Sequence, residues 1–542
     1  HDQLASLLPA IDIDARVLAG RFSLGEEVGR NLVIDFATLK KGIRLNRLSA
    51  DLPFNSSILA AAEITGLGRA VRLSGDMAVR SSDSLAALLW LGTQFGYDLS
   101  FVAETVDEPS VQRTGLVTEF AVGPEAIRLT GLAGRIGDEQ IELDLMMSRT
   151  EALSGHLDLR LSQANLAILG LMEDMKLSRQ SPFFPLDLPV RKWLETVLNQ
   201  TRDIRDFSFT LRSNDVRAED IKLGPMVVSG RIAGDRLDLR RLQFENYLDS
   251  RVALTGTLHH DGQAVDGSLD VTLDTLDASQ ILAPLKTGLK PFFFDISGPL
   301  ALTSTWLLTA RDHPDWPNAI ITGSGRAGEL KVDFDMRTPV RDFVLDAAGT
   351  RFELALKGSG SELSARLGLP IPRTSDEEAV LSLSSDAQPG SVSVLEAGLT
   401  LNDDQFSLSG AMRPGPTGRR VEGRLIGSGA NILPYLGLVR DTGDGVAFDG
   451  DAQIVLRQDG ISFSNIDLGL GAGRLTGEGA VDFTALRSNL TANMLIDALD
   501  LDPFLPHFSS QTGWSENEIA WGMLGASDAN LQIRLANAAF LG

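Results

Sequence analysis

Apolar and polar residues alternate one for one along most of this chain, and that period leaves few folds open. Leu330, Val332, Phe334 and Met336 interleave with Lys331, Asp333, Asp335 and Arg337. Ile11, Ile13, Ala15 and Val17 interleave with Asp12, Asp14 and Arg16. The same period runs through Ile141-Leu143-Leu145, Leu157-Leu159-Leu161, Phe207-Phe209-Leu211, Leu269-Val271-Leu273 and Phe352-Leu354-Leu356. Successive side chains of a strand point to opposite faces, so each segment has one apolar face and one wet face. That pattern belongs to antiparallel sheet, not to parallel sheet buried on both sides. Glycines placed within such runs, as at Gly473, Gly477 and Gly479, mark expected bulges and bends. Periodicity alone leaves three ways to cover the apolar face: a second packed sheet, a closed barrel, or a curl around a ligand.

Helical patterns are few. One longer region spans roughly 164–197, with Leu166, Leu169, Met172 and Met175 ahead of Trp193, Leu194 and Val197. Short helical segments elsewhere each follow a strand-like run behind a capping residue: Ser84, Asn165, Ser279, Asn431 and Asp502. Side-chain oxygens of Ser, Asn and Asp accept the free N–H groups of a first helical turn. Pro503 after Asp502 suits the first helical position. The spacing of these segments is loose, which reads as a strand-rich repeat with variable insertions. The expected organisation is an N-terminal β-groove segment at 1–160 with a short helix near 84–92. A helical insertion follows at 161–200, then a central β-groove segment at 201–420 and a C-terminal region at 421–542.

Charge and composition remove several classes of function. The 49 Lys+Arg against 72 Asp+Glu give a net charge of −23, which leaves no excess of cations to displace the counterions of a nucleic acid. With no cysteine, disulfides, thiolate catalysis and cysteine-based zinc sites are absent. No apolar run reaches the length of a membrane-spanning helix, and the N-terminus carries no signal-peptide pattern. Any anchor is expected to lie outside this chain. The 3 Tyr and 6 Trp are scattered, unlike the aromatic girdles of a transmembrane β-barrel.

Motifs for chemistry do not assemble. Gly323-Ser324-Gly325-Arg326-Ala327-Gly328 matches a dinucleotide fingerprint, but the following Glu329–Phe334 alternates like a strand where that fold requires a helix. His259 and His260 precede Asp261-Gly262, a hairpin-turn signal, and no histidine falls in a zinc-protease motif. Asp441, Asp444, Asp449 and Asp451 supply hard oxygens for calcium without the spacing of a known loop. Glu377-Glu378 and Asp403-Asp404 are adjacent in sequence, so in a strand they point to opposite faces and read as solvated edge charges. No catalytic residue, metal ligand or cofactor is expected.

The most specific resemblance lies toward the C-terminus. Residues 421–437 read VEGRLIGSGANILPYLG, and 471–506 read GAGRLTGEGAVDFTALRSNLTANMLIDALDLDPFLP. This strand, turn and strand with its LDLDPFLP-like ending resembles the C-terminal region of the AsmA family. WGMLGASDANLQIRL at 521–535 resembles that family's next repeat, and LSGDMAVRSSDSLAALLWLG at 73–92 is similar to its N-terminal part. The middle, about 200–420, matches in texture only. The resemblance implies a bacterial protein anchored in the inner membrane by an N-terminal helix and extending through the periplasm. It further implies a long curved sheet related to bridge-like lipid transfer proteins. Against that family this chain lacks the anchor helix and stops just after an alternating strand, so native residues are expected beyond Gly542.

The expected fold is therefore mainly β: a long, highly twisted antiparallel sheet curled into a hydrophobic groove, with a few short capping helices. The expected function is lipid binding and transfer, moving phospholipid between inner and outer membrane. Two 16-carbon chains are worth roughly 25 kcal/mol of transfer from water at about 0.8 kcal/mol per CH₂. A groove that replaces bilayer by a similar medium removes most of that barrier. The candidate groove residues are Leu330, Val332, Phe334, Met336, Leu354, Leu475, Val481, Leu490, Met494 and Ile496. Expected partners are phospholipid acyl chains, the inner membrane through the missing anchor, and outer-membrane or envelope proteins, with no nucleic acid. The alternative is a scaffold that assists outer-membrane protein assembly.

Overall fold

The structure is a computed structural model. It describes residues 12–24, 27–40, 42–66, 70–83, 86–87, 90, 113–136, 139–148, 153–165, 204–218, 221–247, 249–260, 265–279, 298–309, 318–341, 344–345, 350–367, 377–387, 393–415, 418–436, 445–457, 459–482, 488–504 and 527–539. Nearly all of them are strand. Contacts divide the chain into two compact units, His1–Gln180 with Leu188–Thr272, and Ser181–Asp187 with Leu273–Gly542. The boundary expected at 420/421 falls inside the strand Gly418–Gly429. The helical insertion expected at 161–200 lies outside the described residues from 166 onward.

Unit one holds β1 (Asp14–Leu24), β2 (Glu27–Leu39), β3 (Gly42–Leu52), β4 (Ser56–Thr65), β5 (Arg72–Ser81), β6 (Thr114–Val122), β7 (Ala126–Ile136), β8 (Glu139–Ser148) and β9 (Leu153–Leu161). They pair antiparallel in chain order. The two-residue β10 (Ala164–Asn165) and β9 both pair parallel with β11 (Ile204–Ala218). Antiparallel pairing then resumes through β12 (Ile221–Ala233), β13 (Arg236–Tyr247) and β14 (Ser250–His260). β15 (Val265–Thr275) runs over the boundary between the units.

Unit two holds β16 (Leu300–Thr309), β17 (Asn318–Ala327), β18 (Leu330–Arg341), the two-residue β19 (Val344–Leu345), β20 (Arg351–Ser359), β21 (Glu378–Ala387), β22 (Ser393–Leu401) and β23 (Asp404–Gly415). β24 (Gly418–Gly429), β25 (Phe448–Arg457), β26 (Gly460–Leu470), β27 (Gly473–Asp482), β28 (Ser488–Asp500) and β29 (Ser527–Ala539) complete it. Apart from β19, which folds back on the end of β18, these strands pair antiparallel in chain order as far as β28. β29 pairs parallel with β28. The expected antiparallel sheet thus carries parallel joins, β9 to β11 and β28 to β29, where the second strand starts beside the beginning of the first and the chain has to cross between strand ends.

Register fixes which side chains share a face. In unit two Phe334 stands opposite Leu354, Leu354 opposite Leu383, Leu383 opposite Ala397, Ala397 opposite Leu408, and Leu408 opposite Leu425. Val421, on the same side of β24 as Leu425, stands opposite Leu456, and the row continues to Ile461, Val481 and Leu490. A shift between Phe463 and Ile466 bends the sheet there, facing Gly477 and Gly479. A Cβ on Gly477 would meet the Asn493 carbonyl oxygen at 2.3 Å, so the bend requires glycine.

In unit two the helical segments with described bounds stand on one edge. Helix α1 (Gly360–Leu367) follows β20, a 3₁₀ turn at Leu433–Leu436 follows β24, and another at Asp502–Phe504 follows β28. Those three strands run in the same direction. At Asn431 and Asp502 the expected segments are present as 3₁₀ turns, with Asn431 Oδ1 accepting the Leu433 N–H at 3.1 Å. The caps expected at Ser84 and Ser279 belong one and two residues earlier. Asp83 Oδ1 accepts the Ala86 N–H at 3.2 Å, and Asp277 Oδ1 accepts the Ser279 N–H at 2.9 Å. A carboxylate oxygen outcompetes a hydroxyl for a helix N-terminus because its charge complements the N–H dipoles. Helix α1 is not among the expected segments, although Ser359 and Glu362 carry the Ser-x-x-Glu spacing of a capping box at its start. Its Glu362 N–H donates to Ser359 Oγ at 3.2 Å, and Arg366 pairs with Glu362 one turn earlier at 2.5 Å.

Candidate functional site

All ten candidate groove residues lie in unit two on the same face of its sheet. Leu475 stands opposite Ile496, Met494 opposite Gly477, and Val481 opposite Leu490. Their surroundings differ. Leu330 is 0% exposed and Val332 7%, both inside a cluster with Leu300, Leu356, Leu363, Ala379 and Leu401. Phe334 and Leu354 pack against that cluster and are half-buried. Met336 and Ile496 are buried, while Leu475, Val481, Leu490 and Met494 are half-buried. Farther along the same face, Leu531, Ile533 and Leu535 of β29 are exposed.

The sealed part is closed by the helical edge. Leu363 of α1 is fully buried against Leu330. Beside it the 3₁₀ turn packs Tyr435 edge-on against the stacked rings of Phe406 and Phe448, at ring separations of 5.3 and 6.0 Å. The Tyr435 hydroxyl donates to Asp404 Oδ2 at 2.8 Å, and the Ala430 N–H donates to Asp404 Oδ1 at 2.9 Å. Burial, and then the bond to the Asp404 carboxylate, push the Tyr435 hydroxyl well above its ordinary pKa. Asp404, expected to be a solvated edge charge, is instead the anchor of this plug. The sequence offered no signal for that, since Asp404 and Tyr435 are 31 residues apart.

Charges on the wet face form cross-strand pairs. Arg231 donates to Asp206 at 2.7 Å, and that bond holds the Asp206 carboxyl below the usual carboxylate range. Arg474 donates to Asp467 through Nε and Nη2 and lowers its pKa likewise. Asp451, a calcium candidate, is taken by Arg424 at 3.0 Å, and Asp441 and Asp444 lie outside the described residues. Among the described residues no group of three acidic or histidine side chains is placed to hold a metal ion. The glycine-rich run at 323–328 is the end of β17 and its turn, with Gly328 at φ +63° and Ala327 opposite Leu330.

Unit one carries a hollow of about 740 Å³ on the side of its sheet opposite the buried Ala60 and Ala62. Register sets Leu59, Ala78 and Val117 abreast in it, next to Ala61, Asp76 and Glu119. Register shifts between Leu45 and Leu48 and between Val117 and Glu119 shape it, and alternation alone does not reveal them. Among the described residues no helix is long and apolar enough to cross a membrane.

No family model matches the chain, and no curated protein matches it.

Proposed function

We propose that this chain binds lipid and transfers it along the apolar face of its sheet, as the resemblance to the AsmA family implies. Acyl chains lie against the side-chain row that includes Phe334, Leu354, Leu475, Val481, Leu490 and Met494, while headgroups keep to the rim. The observation that carries this reading is the exposure of that face. It is continuous by register, yet Leu531 is 47% exposed, Ile533 56% and Leu535 40%. A sandwich or closed barrel covers such a row; a groove leaves it for a ligand. Aliphatic side chains without fixed polar partners give the weak selectivity that sliding requires. The proposed setting is the periplasm, with phospholipid carried from the inner toward the outer membrane. No chemical step and no cofactor enter this function.

The test is denaturing lipid extraction and mass spectrometry of the purified chain, with an unrelated β-protein handled in parallel. The expected result is phospholipid at several molecules per chain, reduced in Met494→Arg without loss of strand content. Equal recovery from the control protein refutes the reading.

A second reading, a scaffold for outer-membrane protein assembly, draws on one observation. Among the described residues β29 pairs with β28 alone, and both of its faces are exposed. Such an edge accepts an added strand. Capture of an unfolded barrel protein at one per chain, with no lipid recovered, favours that reading.

A further inference from the structure

The wet face of unit two matches cations to anions along and across its strands: Arg424 with Asp451 and Arg351 with Glu353, each at 3.0 Å, and Arg474 with Asp467. Two rows depart from that pattern: Arg326, Lys331 and Lys357 near the helical edge, and a row at the rim of β23, β24 and β25. Arg413 stands directly opposite Arg420. Val421 opposite Leu456 sets Arg457 at the other side of Arg420. The three alternate with the inward-facing Met412, Val421 and Leu456, so they share the wet face. Arg420 reaches Glu422 at 3.1 Å, but its Nε is buried without a hydrogen-bond partner. Among the described residues Arg413 and Arg457 have no ion pair, although Asp459 lies in the turn beyond Arg457.

Neighbouring strands lie about 4.8 Å apart, so three positive charges fall within about 10 Å. That is about one Debye length at 0.1 M salt, too close to be screened from one another. Like charges set directly opposite destabilise a sheet. In a chain of net charge −23 this is no spill-over from a general surplus of base. Repulsion in the free chain, together with unpaired guanidinium N–H groups, is what an anion would relieve. Arginine forks match the oxygens of phosphate in particular.

We propose that Arg413, Arg420 and Arg457 form a site for a phosphate-bearing anion at this rim. The row lies two residues from the closing pair Gly415 and Gly418, about 7 Å from the end of the hairpin. It occupies the edge opposite α1 and the 3₁₀ turns, where no described helical segment stands. The phosphate belongs either to a lipid headgroup whose chains lie over the rim on the inner face, or to a soluble phosphate compound. The headgroup source rests on the proposed lipid function; the anion site does not.

The probe is inorganic pyrophosphate, titrated calorimetrically into the full chain, its R413Q/R420Q/R457Q variant and a charge-matched R326Q/K331Q/K357Q variant. Arg326, Lys331 and Lys357 also stand abreast on the wet face, but near the helical edge. The expected result is a loss of tenfold or more in pyrophosphate affinity for the first variant and less than twofold for the second. Equal losses, or no binding by the parent chain, overturn the site. If the triple variant does not fold, Arg413→Gln decides by melting. Relief of repulsion raises its Tm without pyrophosphate, and pyrophosphate raises the parent's Tm more than the variant's. A lowered Tm with no pyrophosphate response in the parent overturns the site. Co-sedimentation with phosphatidylglycerol vesicles, competed by pyrophosphate, supports the headgroup source. Pyrophosphate binding without vesicle binding supports a soluble source, and lipid extraction judges the lipid function separately.

Discussion

Two stretches of the same apolar face in unit two have opposite fates. Around β18, Leu330 and Leu363 are 0% exposed, shut in by α1 and the Tyr435 plug. On β29, Ile533 is 56% exposed. Both stretches alternate apolar with polar, and register sets both on one face. Alternation therefore assigns a side chain to a face, but it does not say what covers that face. Cover comes from the segments between strands, whose lengths and caps follow a different code.

The largest effect that would break this contrast is at Leu330. Leu330→Ala removes a fully enclosed side chain and is expected to cost about 2–5 kcal/mol, read from urea unfolding. Ile533→Ala is expected to cost under about 1 kcal/mol by the same measurement. Equal costs would mean that β29 is also part of a packed core.

The plug gives the next effect. Tyr435→Phe leaves Asp404 Oδ2 short of a donor and is expected to cost about 1–2 kcal/mol. Because the hydroxyl's pKa is raised in the folded chain, its contribution is complete below the ordinary tyrosine value, about 10, and is lost as pH rises above it. The parent is expected to lose stability above about pH 10 more steeply than Tyr435→Phe. Parallel curves would show that the hydroxyl and Asp404 do not form a latch.

A smaller effect on stability sharpens the open side. Ile533→Glu is expected to change stability by within about 0.5 kcal/mol while lowering the lipid recovered with the chain. A large drop in stability would place Ile533 against protein instead of ligand.

The wet face sets the baseline. Arg474 lowers the Asp467 pKa, so this pair contributes above the ordinary carboxylate range and its contribution fades as pH falls through and below that range. The Tm of the parent and of Asp467→Asn are expected to differ slightly at neutral pH and to converge near pH 3, below the carboxylate range. Both side chains reach solvent, Arg474 at 63% and Asp467 at 37% exposure, so water screens the pair and the effect ranks last.

Much of this architecture was legible in the sequence. The runs at Leu330–Met336, Ile141–Leu145 and Phe352–Leu356 form strands whose apolar residues share a face, because period two follows from backbone geometry. The strand reading of Glu329–Phe334 also disposed of the glycine-rich fingerprint. Illegible were the parallel joins of β9 to β11 and β28 to β29, which depend on where a long segment brings the chain back. The roles of Asp404 and Leu363 were equally hidden, since each depends on contacts distant in sequence. The arginine row at Arg413, Arg420 and Arg457 needs register before it becomes visible as a row.

The central claim is that lipid occupies the inner face. A photoreactive residue placed at each position from Met494 to Ile496 and from Ile533 to Leu535, in chain isolated from membranes, tests it most directly. Phospholipid is expected to cross-link at 494, 533 and 535, and not at 495 or 534, although Leu495 is itself apolar and 49% exposed. Cross-linking without that alternation, or none at any position, would contradict a lipid groove on this face.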